Sequence, residues 1–260
     1  MKRYQKIMMG LLTLSTLAMA EECCWTEKFE VCKVCSFEEE LVPPSFTLGA
    51  PSGIPGGKGG GGMAVSGITD KDDTDGGLAF GVGYGDPNKI GGLVSLSIGS
   101  VNPVDGGAFN RGALNISAGH SFPDQLIGVS VGVNDIDLWH ANHDDHDDDP
   151  SLYISATKII PYNRYPVMLT AGLGNNNFAK VNETGDKKDH VYPFVSGAVY
   201  VTPQISLIAD YTSDIVTLGA GIVPFPKLPV AFTLGAYDIG KEREEDKVSF
   251  IASMAISVRF

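Results

Sequence analysis

Residues 248–260 read VSFIASMAISVRF. Val248, Phe250, Ala252, Met254, Ile256, Val258 and Phe260 share one parity; Ser249, Ile251, Ser253, Ala255, Ser257 and Arg259 share the other. In an extended strand, side chains two apart lie on one face. One face here is apolar and the other is mostly small or polar. The sequence ends on the aromatic residue of the apolar face.

The same alternation recurs upstream as far as Gly62. It predicts strands over 62–68, 77–85, 90–100, 112–121, 126–137, 151–159, 166–175, 191–201, 204–211, 214–223, 229–238 and 248–260. Apolar faces include Leu78/Phe80/Val82/Tyr84, Val94/Leu96/Ile98, Ile127/Val129/Val131/Val133 and Val216/Leu218/Ala220/Ile222. The opposite faces carry Gly81/Gly83, Ser95/Ser97, Asn115/Ser117, Ser130/Gly132/Asn134, Thr170/Gly172 and Thr233/Gly235. Few charges interrupt these strands; Lys158 and Asp210 are exceptions, and Asp135 and Asp137 sit near a strand end.

The connections alternate in length. Asp86–Lys89, Phe122–Gln125, Pro161–Tyr165, Thr202–Pro203 and Pro224–Leu228 are tight, and each contains proline. They alternate with 69–76, 101–111, 138–150, 176–190 and 239–247, which are mostly longer and polar; the turn at 212–213 breaks the rule. Short turns at one end and long loops at the other mark an all-β transmembrane antiparallel barrel, with the short turns in the periplasm. Twelve strands place both ends of the barrel on the periplasmic side. Counting Phe46–Ala50 as a strand would give thirteen and break the phase, so it is left outside; a fourteen-stranded barrel requires one more short strand. A secreted β-sandwich also alternates. It has no need for the regular loop asymmetry or for so many small residues on the second face.

The first twenty residues, MKRYQKIMMGLLTLSTLAMA, have a basic start (Lys2, Arg3, Lys6), an apolar run (Met8–Leu17) and Ala18-Met19-Ala20, the pattern of a cleaved export signal. The apolar run is shorter than the ~20 residues a spanning helix needs. The formal charge is −12, and −15 without those three basic residues. So acidic a surface excludes nucleic acid, whose phosphates call for Lys and Arg. Residues 21–45 hold Cys23, Cys24, Cys32 and Cys35, all the cysteines of the chain. In an exported chain an even cysteine count suggests disulfides. Three pairings exist, and adjacent Cys23 and Cys24 are poorly placed to bond each other. A redox pair at Cys32-Lys33-Val34-Cys35, a metal site and unpaired thiols stay open as alternatives. This segment is expected at the periplasmic mouth, either plugging the lumen or touching a partner. PSGIPGGKGGGGM (51–63) lacks the spacing of a phosphate loop and reads as a hinge or linker. The expected division is therefore a signal at 1–20, a cysteine-bearing segment with a glycine-rich linker at 21–61, and a barrel at 62–260.

The alternating strands, the loop asymmetry, the export signal and the terminal Ser257-Val258-Arg259-Phe260 together resemble the bacterial outer-membrane β-barrels of the porin-like class. The resemblance covers about residues 62–260 and is architectural. It implies outer-membrane lipid as the surroundings. It also implies that the barrel-assembly machinery is a partner, reading Phe260, Val258, Ile256 and Met254 as its signal. The cysteine-bearing head departs from ordinary porins.

The sharpest side-chain cluster is 139–150, WHANHDDHDDDP. His140, His143, His146, Asp144 and Asp147 are candidate ligands for a divalent cation; weak cation attraction and a plain acidic surface loop are the competing readings. With Asp70, Asp72, Asp73 and Asp75 on the same side, the loop would bias the mouth toward cations. No other cofactor is expected. Asn115, Asn134 and Asp210 are expected in the lumen, with Asp210 inward because it is out of phase with Leu207 and Ala209. His120 is expected at the rim beside Pro123. Phe122, Tyr162, Tyr165, Tyr192 and Tyr200 are expected in interfacial girdles. Ser117 and His120 have opposite phase, and no G-x-S-x-G nucleophile motif occurs, so no enzyme is expected. The expected function is passive diffusion of small hydrophilic solutes, favouring cations, through a Gly/Ser/Thr/Asn-lined lumen. The alternatives are a non-conducting structural or surface-binding barrel and a periplasmic partner of an export system.

Overall fold

The computed structural model describes residues 42–69, 74–99, 108–140, 149–162, 165–179, 190–225, 227–241 and 248–260. The expected export signal, the four cysteines, Asp70, Asp72, Asp73, His143, His146, Asp144 and Asp147 lie outside the described residues.

Twelve antiparallel strands run in chain order: β1 (Gly60–Thr69), β2 (Thr74–Asp86), β3 (Ile90–Gly99), β4 (Arg111–Phe122), β5 (Ile127–His140), β6 (Ser151–Ile160), β7 (Val167–Gly174), β8 (Tyr192–Thr202), β9 (Ile205–Thr212), β10 (Ile215–Ile222), β11 (Val230–Tyr237) and β12 (Ser249–Arg259). Each pairs with its sequence neighbour, and β12 closes on β1. The closing register runs from Gly60 opposite Arg259 to Thr69 opposite Phe250. Closure leaves no edge strand, so every ladder N–H and C=O finds a partner without water, as a membrane requires.

The alternation read from the sequence sorts the two faces. Val65, Phe80, Val82, Val94, Val131, Ile154, Leu169, Val195, Leu207, Leu218, Leu234 and Phe250 point outward and are exposed. In water such a surface would drive association; facing lipid it is the stable arrangement. The chain is an outer-membrane-type barrel with twelve strands.

Strand boundaries differ from the sequence reading in two places that matter. β1 begins at Gly60, so the last glycines of the expected linker are already strand. β5 continues to His140, three residues past its expected end, through a register shift opposite Leu114–Ile116. Asp135 takes φ 57 at this irregularity, and its N–H donates to Asn115 Oδ1 at 2.9 Å.

Candidate functional site

The inward faces of the strands are not open to solvent. Ala64, Ile68, Ser95, Ser130, Ser155, Thr170, Phe194, Ile208, Thr217, Thr233 and Ser253 are all buried. Residues 42–57 lie inside the barrel against several of them, including Ser130, Ser155, Thr233, Ile68 and Ile208. This segment is neither a strand nor a linker outside the barrel: it is irregular, and all of it except Pro43 is buried.

Its course follows from its contacts. Val42 packs on Val223 and Ala231, at the short-turn end of the barrel. The chain rises past Tyr200, Ser206 and Ser196. Its apex at Leu48–Ala50 reaches Asp210, two residues from the long-loop end of β9. It then descends past Ser155, Ser130 and Thr157, and at the short-turn end the Lys58 N–H donates to the Gly85 carbonyl at 2.9 Å. The segment is a re-entrant loop with both ends at the short-turn mouth.

A loop inside a membrane barrel must satisfy its main chain without a ladder. Two features of the sequence do this. Pro43, Pro44, Pro51 and Pro55 carry no N–H to satisfy. The wall hydroxyls then donate to the loop's carbonyls. Tyr200 donates to Pro44 at 2.9 Å, Ser155 to Pro51 at 2.7 Å and Ser130 to Ser52 at 2.6 Å. Ser206 donates to the Ser45 carbonyl, and Ser196 to that of Phe46 at 3.4 Å. Ser45 and Thr233 share a hydroxyl–hydroxyl bond of 2.7 Å, and the Gly53 N–H donates to Thr157 at 2.9 Å.

At the apex one carboxylate oxygen of Asp210 accepts three successive N–H groups: Leu48 at 3.2 Å, Gly49 at 3.2 Å and Ala50 at 3.0 Å. Its other oxygen accepts the Thr212 hydroxyl at 2.8 Å. Convergent main-chain N–H groups form a nest for an anion, here supplied by the wall.

The loop also brings apolar side chains inward. Phe46, Leu48 and Ile54 join Ile68, Met168, Ile208, Ile215, Tyr237 and Ile251 in one buried cluster. On the long-loop side Phe178, in the turn Asn176–Phe178, is fully buried and stacks on Phe194 with ring centroids 4.9 Å apart. Ala50 belongs to this second cluster, with Tyr192. The lumen is therefore covered from above by Phe178 and filled from below by the loop.

The expected lumen lining is thus half of the arrangement. Asn115 and Asn134 are inward and buried. The Asn115 amide donates to Ser97 Oγ at 3.2 Å, whereas Asn134 Nδ2 has no partner among the described residues. Tyr192 and Tyr200, expected in girdles, are buried lumen residues; Phe122 and Tyr162 are exposed. The reason is phase: both buried tyrosines share the inward parity of Phe194 and Ser196. His120 sits at the short-turn rim, its Nδ1 2.6 Å from the Lys89 carbonyl and its ring edge-on to Phe122. Ser117 faces the other side of the wall, so the two do not meet. Lys158, on the outer face, reaches the Gln125 carbonyl at the rim. His140 ends β5.

Sequence reasoning missed Ile68, Ile208, Ile215 and Ile251, which lie on the inward parity, and Phe46 and Leu48, which precede the barrel. Large apolar residues in the polar phase were the available signal: they need an apolar partner inside.

No family model matches the chain, and no curated protein sequence does. Several solved structures are distantly similar to it. An outer-membrane channel from Pseudomonas putida F1 has 11% identity over 78% of this chain and 96% of its own, with a TM-score of 0.45. Outer membrane phospholipase A from Escherichia coli has 9% identity over 77% of this chain and 92% of its own, with a TM-score of 0.43. The outer membrane protein Omp33 of Acinetobacter baumannii has 10% identity over 80% of this chain and 100% of its own, with a TM-score of 0.43. At these identities and TM-scores no activity transfers from them to this chain.

Proposed function

We propose that this barrel is an outer-membrane channel for small hydrophilic solutes that is closed at rest by its own residues 42–57. The observation that carries this reading is the way the loop is held. It enters and leaves through the same mouth, and its main chain is bound by side chains of the wall rather than by a ladder. Such a plug can leave without unpairing a strand. Withdrawal would expose Ser130, Ser155, Ser196, Ser206 and Asp210 to the lumen, a hydroxyl-rich surface with one carboxylate. A preference for cations fits that carboxylate.

The second reading is a permanently closed barrel that serves as a structural or surface-binding protein. The buried cluster around Phe46 and Leu48 favours it, because burying each such side chain stabilises the closed form by about 1.5–3 kcal/mol.

Planar-bilayer recordings separate the two. Wild-type protein should be mostly silent, and a variant lacking residues 42–57 should give discrete steps with a reversal potential shifted toward cations. A folded deletion variant that stays silent would leave only the closed-barrel reading.

A further inference from the structure

The loop is fastened to one side of the lumen. Its side-chain hydrogen bonds to the wall come from β5, β6, β8, β9 and β11, through Ser130, Ser155, Thr157, Ser196, Tyr200, Ser206, Asp210 and Thr233. The boundary is sharp between β11 and β12. Thr233 bonds Ser45 of the loop, while Ser253, directly opposite Thr233 in the ladder, has a buried hydroxyl with no partner among the described residues. Ser66, opposite Ser253 on β1, is in the same condition, as is Ser257 nearer the short-turn mouth. All three are at least 95% buried. Thr47 of the loop also has a buried, unpartnered hydroxyl.

Buried hydroxyls without partners gain hydrogen bonds as soon as polar molecules reach them. The hydroxyls that hold the loop are already bonded, while Ser95 on β3, Ser121 on β4 and the Asn134 amide on β5 carry further buried polar atoms in the same condition as Ser66 and Ser253. The wall beside Ser66 and Ser253 is also made of small residues, with Ala64 opposite Ala255 and Gly77 opposite Ser66. One row nearer the long loops, Ile68 and Ile251 face each other across the ladder and belong to the buried cluster that includes Leu48. In the same rung Asp75, opposite Ile68 on β2, places a carboxylate near the long-loop mouth.

We infer that the permeation path for small cations runs along the β12–β1 wall, past Asp75, through a constriction formed by Ile68 and Ile251, and over the hydroxyls of Ser66, Ser253 and Ser257. The loop stays attached to the β5–β11 wall while this seam opens. An apolar constriction above a hydroxyl-lined path is a gate that conducts once wetted. The inference rests on the channel reading proposed above, and in place of full withdrawal of the loop it assigns opening to one side of the lumen.

The test is cysteine substitution in the full-length chain, recorded in planar bilayers under applied voltage with a cationic methanethiosulfonate added. The unsubstituted chain, which has its own cysteines, sets the baseline. Ser253→Cys should lose at least half of its open current on modification, and Ser155→Cys, on the fastened side, should match the baseline. Ile68→Ala, with folding checked by circular dichroism, should raise cation current several-fold before any reagent is added. Block at Ser155→Cys equal to or greater than that at Ser253→Cys would overturn the inference and mean that the whole loop leaves. Unchanged current in a folded Ile68→Ala barrel would overturn the constriction. If these chains and the variant lacking residues 42–57 are all silent, the channel reading itself falls.

Discussion

At Asp210 a single carboxylate oxygen takes three main-chain N–H groups. Removing that acceptor leaves three buried donors, each costing about 1–3 kcal/mol if it stays dry. The loop can avoid this cost by moving out. Asp210→Ala is therefore expected to increase channel opening in bilayers several-fold, and Asp210→Asn, which keeps one acceptor oxygen, to do so less. Equal, wild-type silence from both would show that the nest does not hold the loop. Gly83 tests the loop's exit. A Cβ there would stand 2.0 Å from the Gly57 carbonyl oxygen, so a larger side chain must displace the chain. Gly83→Val should leave residues 51–58 open to limited proteolysis in the folded barrel. Gly197→Ala is the control, because its Cβ would meet nothing nearer than Leu169 at 3.6 Å.

The elements that close the lumen are the re-entrant loop and the turn Asn176–Phe178. Phe178 fills the space above Ala50, and its ring stack with Phe194 locks the two together. The turn is tied at several points: the Asn176 amide donates to the Pro150 carbonyl at 2.8 Å, the Asn177 N–H to Ser151 Oγ at 3.0 Å, the Asn177 side chain to Asp135, and the Ser213 hydroxyl to the Asn177 carbonyl at 2.9 Å. Phe178→Ala should cost about 3–5 kcal/mol of barrel stability, read as a lower denaturation midpoint, with Phe178→Leu recovering much of it. A loss below ~1 kcal/mol would mean that the turn merely rests on the barrel. Both elements were hard to read locally. Phe46, Leu48 and Ala50 alternate and so read as a possible strand, and 51–63 reads as a linker because glycine and proline dominate it. Inside the barrel the same residues serve other ends: the prolines remove N–H groups that would lack partners, and Gly53 lets the main chain lie against Ala156 and Thr157.

For the whole molecule the outer belt and the filled interior are two separate sources of stability. Val131 lies on the belt and is about half exposed, facing lipid. Val131→Arg should destabilise the barrel by about 2–4 kcal/mol, the cost of a cation at the bilayer midplane, and the effect should be much smaller in a detergent that lets water reach the site. Insensitivity in both lipid and detergent would place Val131 outside the hydrocarbon. Deleting residues 42–57 acts on the other source. It removes the burial of Phe46, Leu48 and Ile54, so the conducting variant should also unfold more easily than the intact chain.

Alternation by itself determined the twelve strands, their order and which face meets lipid. Those properties are local: period two fixes the face, and short turns force neighbouring strands to pair. The inward placement of Asn115, Asn134 and Asp210 followed from the same phase. What fills the lumen was decided only in the tertiary structure. Asp210 and Leu48 are separated by 162 residues, and no local period records a contact over that distance. The small, polar inward faces are equally suited to water and to a polypeptide main chain, because both accept and donate the same hydrogen bonds. The closed barrel brought the loop to those faces. Its irregular main chain, the carboxylate at its apex and the isoleucines of the inward phase then complete one another inside.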